Sequence, residues 1–411
     1  MAFDWRISSL QDPKLYIAFL LFLAANPSLA QVNWNLGTQE LRTRTKLSKT
    51  KDQGGSSTQI EATLQMGAQY ISSEWADQNA QSYFLAQAHY SYQSPLGLGF
   101  DLKPFLVSRT GYVQADFYNP GDQRAQMFIE QASAEWKPSG SVSFKIGVLP
   151  LYQWLSPLVA GRLGHTGVGF STSWEQIPFQ KESLLSTKST HHSFRHQFDG
   201  YAFVPQSFQQ NYTFDERRSL PLIQLLRAAT QGQTESWRWS LHLAYVQFQN
   251  TPESLAEQSN LLGNSVIFAT QSARVGFLYG YQLWEGSAQI GYAWTPRWET
   301  GLRLTQVYNP SAPQELNQAY LLEPSVTYYQ GQWRYQTSYQ YFLVQPDATI
   351  ASLNSGFFET NRVGQRLILS AAVDEHQLSL ILSERQPIYA HPFQVGEVSG
   401  IVQWEVKHDI L

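Results

Sequence analysis

After Gly54 the chain alternates apolar and polar residues in one segment after another, and this period of two limits what it can fold into. Ile60, Ala62, Leu64, Met66, Ala68 and Tyr70 fall on one side of an extended chain, and Glu61, Thr63, Gln65, Gly67 and Gln69 on the other. Successive side chains of a strand point to opposite faces, so the pattern specifies strands with one apolar and one polar face. It recurs from Phe84 to Tyr92, Val142 to Val148, Trp237 to Tyr245, Val275 to Leu283 and Tyr320 to Tyr328. It closes with Trp333 to Leu343, Leu367 to Val373, Leu378 to Leu382 and Val402 to Val406.

Two features separate these strands from those of a soluble sandwich, whose apolar face is buried against a second sheet. Many run roughly ten to twelve residues, where ordinary strands average about five or six. The apolar faces also end in aromatic residues, among them Tyr70, Trp136, Trp237, Trp294, Trp298, Tyr308, Tyr320, Trp333 and Trp404, in a chain that is 14% aromatic and 15% charged. Amphipathic rings at strand ends suit the two interfaces of a bilayer. The connections agree. Ser94-Pro95-Leu96-Gly97, Pro138-Ser139-Gly140, Gln330-Gly331-Gln332 and Asp374-Glu375 are short, whereas 109–125, 250–264, 309–318, 344–363 and 385–396 are long. Trp284-Glu285-Gly286 and Thr295-Pro296-Arg297 also read as short turns, which breaks the short–long alternation around 265–300. The expected fold is all-β: a transmembrane antiparallel barrel, since only a closed sheet satisfies its backbone in lipid. At about 22 to 26 residues per strand with its loop, the chain makes 14 to 18 strands, with 16 the even number nearest the middle.

Three segments follow. Residues 1–30 read as a signal peptide: Leu15 to Ala25 is an apolar run behind Lys14, too short for a membrane helix, and Ser28-Leu29-Ala30 offers a cleavage site. Residues 31–56 are polar and basic, and form a periplasmic lead-in, a first strand or a lumen plug. Residues 57–411 are the barrel.

At this point the chain resembles the bacterial outer-membrane porins and related barrel channels. The resemblance rests on the signal-like start, the alternating strands and FIEQASAEWKPSGSVSFKIGVLPL (128–151), which looks like a hairpin followed by a long loop. The C-terminus departs from it, ending on Leu411 where such barrels end on an aromatic residue. The resemblance implies a passive channel in the cell outer membrane for small hydrophilic solutes or ions, with no cofactor, and aromatic strips on its outer wall able to support a homotrimer. A plugged, structural or adhesive barrel is the alternative, with a barrel hydrolase behind it.

If the apolar faces meet lipid, the intervening residues line the lumen. Lys145, Arg238, Arg274, Arg303, Arg334 and Arg366 supply positive charge there, and Glu61, Asp101, Glu135, Glu299, Glu323 and Glu405 negative charge. Arginine or lysine facing lipid at mid-depth would cost about 2–4 kcal/mol, so their position opposite the apolar set supports the register. Charges of both signs either set ion preference or pair with one another. Pro150 to Gly169 lacks clean alternation. By resemblance it is a constriction loop carrying Trp154, Arg162 and His165; read alone, it is equally an external loop or an irregular strand.

Other chemistries find little support. No cysteine is present, which removes disulfides, thiolate metal sites and thiol nucleophiles. A net charge of −4 does not suit a nucleic-acid binder. His191, His192 and His196 match no standard metal spacing. His89 and His242 fall at inward positions, but no G-x-S-x-G, H-E-x-x-H or phosphate-loop motif accompanies them, so no catalytic residue is assigned.

Overall fold

The structure, a computed structural model, describes residues 57–73, 76–111, 125–162, 164–176, 193–205, 220–234, 236–269, 274–354 and 357–409. The signal-like start, the basic segment 31–56, His191 and His192 lie outside these residues.

The first half of the wall comprises β1 (Ser57–Ser73), β2 (Ala76–Gln93), β3 (Leu98–Gly111), β4 (Ala125–Ser139), β5 (Val142–Pro150), β6 (Gly164–Gln176), β7 (Ser193–Val204), β8 (Leu222–Gln233) and β9 (Trp237–Gln249). A helix α1 (Glu253–Leu261) and a small hairpin, β10 (Val266–Ala269) and β11 (Arg274–Phe277), follow outside the wall. The second half comprises β12 (Tyr281–Thr295), β13 (Trp298–Tyr308), β14 (Gln318–Gln330), β15 (Trp333–Val344), β16 (Arg362–Val373), β17 (His376–Pro387) and β18 (Glu397–Asp409). Among the described residues, β1–β9 and β12–β18 form a closed antiparallel barrel of 16 strands. Closure is made by β1 against β18, with Met66 opposite Trp404 and Gln65 opposite Glu405.

The rims follow from the connections. The ends of β1 and β18 and the short turns after β2, β4, β8, β12, β14 and β16 share one rim. Three of these turns need left-handed backbone, at Gly97 (φ 75°), Gly331 (φ 61°) and Asp374 (φ 50°), as tight hairpins of right-twisted strands do. The long connections 250–280, 309–317, 345–361 and 388–396 share the other rim.

Exposure follows the period of two. Leu64, Met66, Phe144, Ile146, Leu241, Leu243, Leu322 and Val326 face outward, while Gln65, Glu323, Ser338, Gln340, Ser379 and Gln403 are buried inside. Aromatic rings form a girdle near the short-turn rim: Trp298 packs tilted against Tyr328 (4.6 Å) and Trp237 against Tyr292 (4.5 Å).

Around 265–300 the structure corrects the sequence reading. Trp284-Glu285-Gly286 is no turn; β12 runs straight through it, with Trp284 opposite both Tyr245 and Tyr308. Val275 belongs to the hairpin, and Tyr281 and Leu283 point inward, each almost fully buried. Phe277, Tyr281 and Leu283 therefore pack against the inward apolar cluster, while Leu278 between them is exposed. Arg274 lies in the same hairpin, outside the barrel wall, so it is not a lumen-wall residue.

Candidate functional site: the lumen and its inward loops

Two long connections turn into the barrel. The segment after β5 begins with a single 3-10 turn, Leu151–Gln153, and crosses the interior. Its apolar residues Leu151, Trp154, Leu155, Leu158, Val159 and Ala160 are buried. Trp154 packs at 4.2 Å from Tyr201 and 5.9 Å from Phe203, ring to ring, on β7. At one end Tyr152 donates a hydrogen bond to Glu130 on β4, and the Gln153 amide donates to Gln131 (3.0 Å). Burial, and then the adjacent Glu130, push the Tyr152 hydroxyl well above the ordinary tyrosine range, which keeps it a donor. Across the lumen the Ser156 N–H and hydroxyl donate to the Glu285 carboxylate on β12 (2.9 and 2.8 Å), which also meets His242 Nε2 at 2.8 Å.

The second inward segment, 345–361, seals against the first. Gly161 N–H donates to Leu353 O at 2.6 Å, and Ile350, Leu353, Phe357 and Phe358 join the same apolar cluster as Leu158. Asn264, just beyond α1, ties this segment down: its amide donates to Pro346 O and Thr349 O (2.6 and 2.7 Å), and its carbonyl accepts from Ala351 N–H (2.8 Å). The barrel thus has a hydrophobic core inside its long-loop half.

Glycine makes room for this core. On β6, a Cβ at Gly169 would sit 2.1 Å from the Tyr201 ring. Tyr201 lies across that bare backbone and supports Trp154. We expect Gly169→Ala to displace Tyr201 and cost about 1–3 kcal/mol, as overpacking does. The check is the heat-unfolding midpoint on a gel. It should fall, whereas Gly286→Ala, whose Cβ meets nothing within 4 Å, should leave it unchanged.

Asp347, in the second segment, accepts hydrogen bonds from Ser265 N–H and the Tyr281 hydroxyl, both at 3.0 Å. Burial holds its pKa above the ordinary carboxylate value, against the opposing effect of its Ser265, Tyr281 and Asn264 hydrogen bonds. A carboxyl with a raised folded pKa binds more protons folded than unfolded, so stability rises as pH falls through that pKa toward the unfolded value. Thermal unfolding followed from neutral to mildly acidic pH should show this gain, and Asp347→Asn should flatten it.

Toward the short-turn rim the lumen is polar. Lys145 pairs with Glu135 (3.8 Å), Arg238 with Glu299 (3.5 Å) and Arg303 with Glu323 (3.2 Å). His89 stands between Asp101 (3.3 Å) and Glu61 (3.8 Å), and Arg334 donates to Gln377 (3.4 Å). Glu405 meets Lys407 at 3.0 Å. A cavity of about 50 Å³ remains beside the first inward segment, lined by Tyr152, Gln153, Arg227, His242, Ser287 and Arg303.

The sequence-derived residues therefore divide. Lys145, Arg238, Arg303, Arg334, Asp101, Glu135, Glu299 and Glu323 stand on the inner wall. Arg366 is on that wall but does not line open space. It is buried, with its guanidinium 3.4 Å from the centre of the Phe357 ring. Trp154 and Arg162 belong to the first inward segment, with Arg162 in electrostatic reach of the Tyr83 and Tyr152 hydroxyls. His165 does not; it is buried in the β6 wall opposite Leu149. His196 stacks on Trp174 (5.4 Å). Among the described residues no group of three potential ligands could hold a metal.

Sequence reasoning missed the Arg227–Asp199 pair (2.9 Å), Glu130 and Glu285, and the cluster in which Arg362 and Arg385 both meet Glu359 and Glu397. The signal for Glu130 was hidden by a bulge at Lys103/Pro104, which leaves Glu130 and Gln131 both buried.

No protein-family model matches the chain, and neither does any curated protein sequence. Among solved structures it is similar to Pseudomonas putida OprB, with 11% identity over 86% of this chain and 94% of that one and a TM-score of 0.54. It is also similar to a loop L8 deletion mutant of OmpT, an outer membrane protein of Vibrio cholerae (8% identity, 86% and 100% covered, TM-score 0.47). A third is Salmonella typhi OmpF in complex with daunomycin (10% identity, 86% and 98% covered, TM-score 0.47). At these identities the likeness is one of fold, and OprB carries it: the barrel has the porin-like architecture.

Proposed function

We propose that this porin-fold barrel is a passive outer-membrane channel for small hydrophilic solutes, with no cofactor and no covalent chemistry. The observation that carries this reading is the lumen itself, where ion pairs between nearby strands and amides line the wall below an inward loop. Charges of both signs paired along the wall largely cancel and leave no single-sign filter, which suits uncharged polar solutes and weakly selected ions. In this reading Trp154 and Arg162 narrow the passage, and Arg238, Arg303 and Arg334, opposed by Asp101 and Glu135, set its weak ion preference.

The outer wall supports both the membrane location and assembly as a homotrimer. From β9 to β15 a second row of rings, Tyr245, Trp284, Tyr308, Tyr320 and Tyr341, lies toward the long-loop rim. Near that rim β4–β7 carry Met127, Ile129, Val148, Val168, Ala202 and Val204 instead. A face with rings at both interfaces suits lipid, and a face that lacks one row suits a neighbouring protomer.

The apolar layer joining 151–162 to 345–361 favours a second reading, a barrel closed in this state. Swelling of proteoliposomes in isotonic solutions of uncharged solutes of increasing size separates the two. An open channel gives swelling rates that fall with solute size, and a closed one gives none.

A further inference from the structure

The outward face carries a belt of amides level with its tyrosine row and just above it. Gln224, Gln247 and Gln282 stand side by side on β8, β9 and β12, paired in register. Farther round, the Gln306 amide donates to the Tyr320 hydroxyl (3.4 Å), Tyr339 donates to Gln365 (2.8 Å) and Gln365 donates to Glu384 (3.0 Å). All lie on the faces that carry the lipid-directed aromatics, one or two positions nearer the long-loop rim or level with them, where a spanning barrel meets head groups.

The belt's charge is what identifies its partner. A surface built for phosphate-bearing head groups presents arginine or lysine, whose charge and donors match the anion. Here Arg362 and Arg385, at the same rim, turn inward to Glu359 and Glu397. No exposed lysine or arginine stands among the side chains described at that rim from β9 to β18, while Glu257, Glu315 and Glu384 are exposed. Amides and phenols both donate and accept without charge, which is the complement of a hydroxyl-rich head group.

We propose that the β8–β17 face binds neutral, hydroxyl-rich glycolipid head groups in preference to phosphate-bearing ones. This rests on the membrane reading above. The test reconstitutes the folded full chain into nanodiscs of equal parts galactosyl diacylglycerol and phosphatidylglycerol, and counts co-purifying lipid by mass spectrometry, with and without magnesium. The expected result is enrichment of the galactolipid by about threefold or more, the worth of one net hydrogen bond. The variant Gln224→Ala/Gln247→Ala/Gln282→Ala should lose the enrichment, and the corresponding triple lysine variant should reverse it. Equal retention of both lipids overturns the proposal. So does phosphatidylglycerol enrichment, including enrichment seen only with magnesium, which would assign the belt's carboxylates to cation-bridged phosphate. A folded barrel that enters neither lipid contradicts the membrane reading itself, a failure distinguishable from loss of preference.

Discussion

Replacing Arg238, Arg303 and Arg334 together by glutamate is expected to turn the lumen strongly cation-preferring. These residues come from β9, β13 and β15 and face inward at different points around the wall. A unit charge about 8 Å from an ion contributes about 0.5 kcal/mol in water-like surroundings, and physiological salt screens part of this. Exchanging three positive charges for three negative ones should therefore raise the cation-to-anion permeability ratio by at least about tenfold, most clearly at low ionic strength. Arg303 carries a structural cost. Its partner Glu323 is buried, and a second carboxylate beside it would be disfavoured. The double variant Arg238→Glu/Arg334→Glu avoids that contact and should shift selectivity in the same direction. Reversal potentials unchanged in both variants would remove these arginines from the permeation path.

Excising residues 152–160 and bridging the gap with a short Gly-Ser linker is the second large effect. The wall does not depend on this segment, because its backbone hydrogen bonds run strand to strand and close through β1 and β18. What is lost is the apolar layer: Trp154, Leu155, Leu158 and Val159 are buried, each worth about 1.5–3 kcal/mol to the packing of the inward loops. Removing it opens the shared cluster on one side of Ile350 and Leu353, while Phe357 and Phe358 keep Phe342. Single-channel conductance should rise severalfold, and 345–361 should become a preferred site of proteolysis. Conductance unchanged in a folded variant would place the narrowest point elsewhere.

How much of this was legible in the sequence depended on which side of each strand carried information. Where the inner face is polar, as in Ile60–Tyr70 or Trp333–Tyr341, the period of two was unbroken and gave strand, face and inward residues together. The count of 16 followed from chain length per strand, and the closed barrel has that number; the short turns at Gly331 and Asp374 were legible as turn chemistry. The reading failed where the inner face is apolar too. Ile223 and Leu225 on β8 point into the loop core while Leu226 points out, so LIQLLRAATQGQ has no period of two. Leu283 misled for the same reason, packing inward beside an outward Trp284. Such strands are amphipathic only with respect to a core made by distant loops, and no local window contains that core. The inward course of 150–162 was likewise undetermined by its own residues. It depends on Tyr201, Glu285 and Leu353, three partners from three remote stretches of chain.

We propose a channel whose lumen, narrowed by its own loops, passes small hydrophilic solutes. Single-channel recording of the folded protein in a planar bilayer under a salt gradient tests it most directly. Stepwise openings are expected, with closures in three levels for a trimer and a small reversal potential reflecting the paired lumen charges. A folded, heat-modifiable barrel that inserts and stays silent would contradict it, and would assign the inward loops the role of a permanent seal.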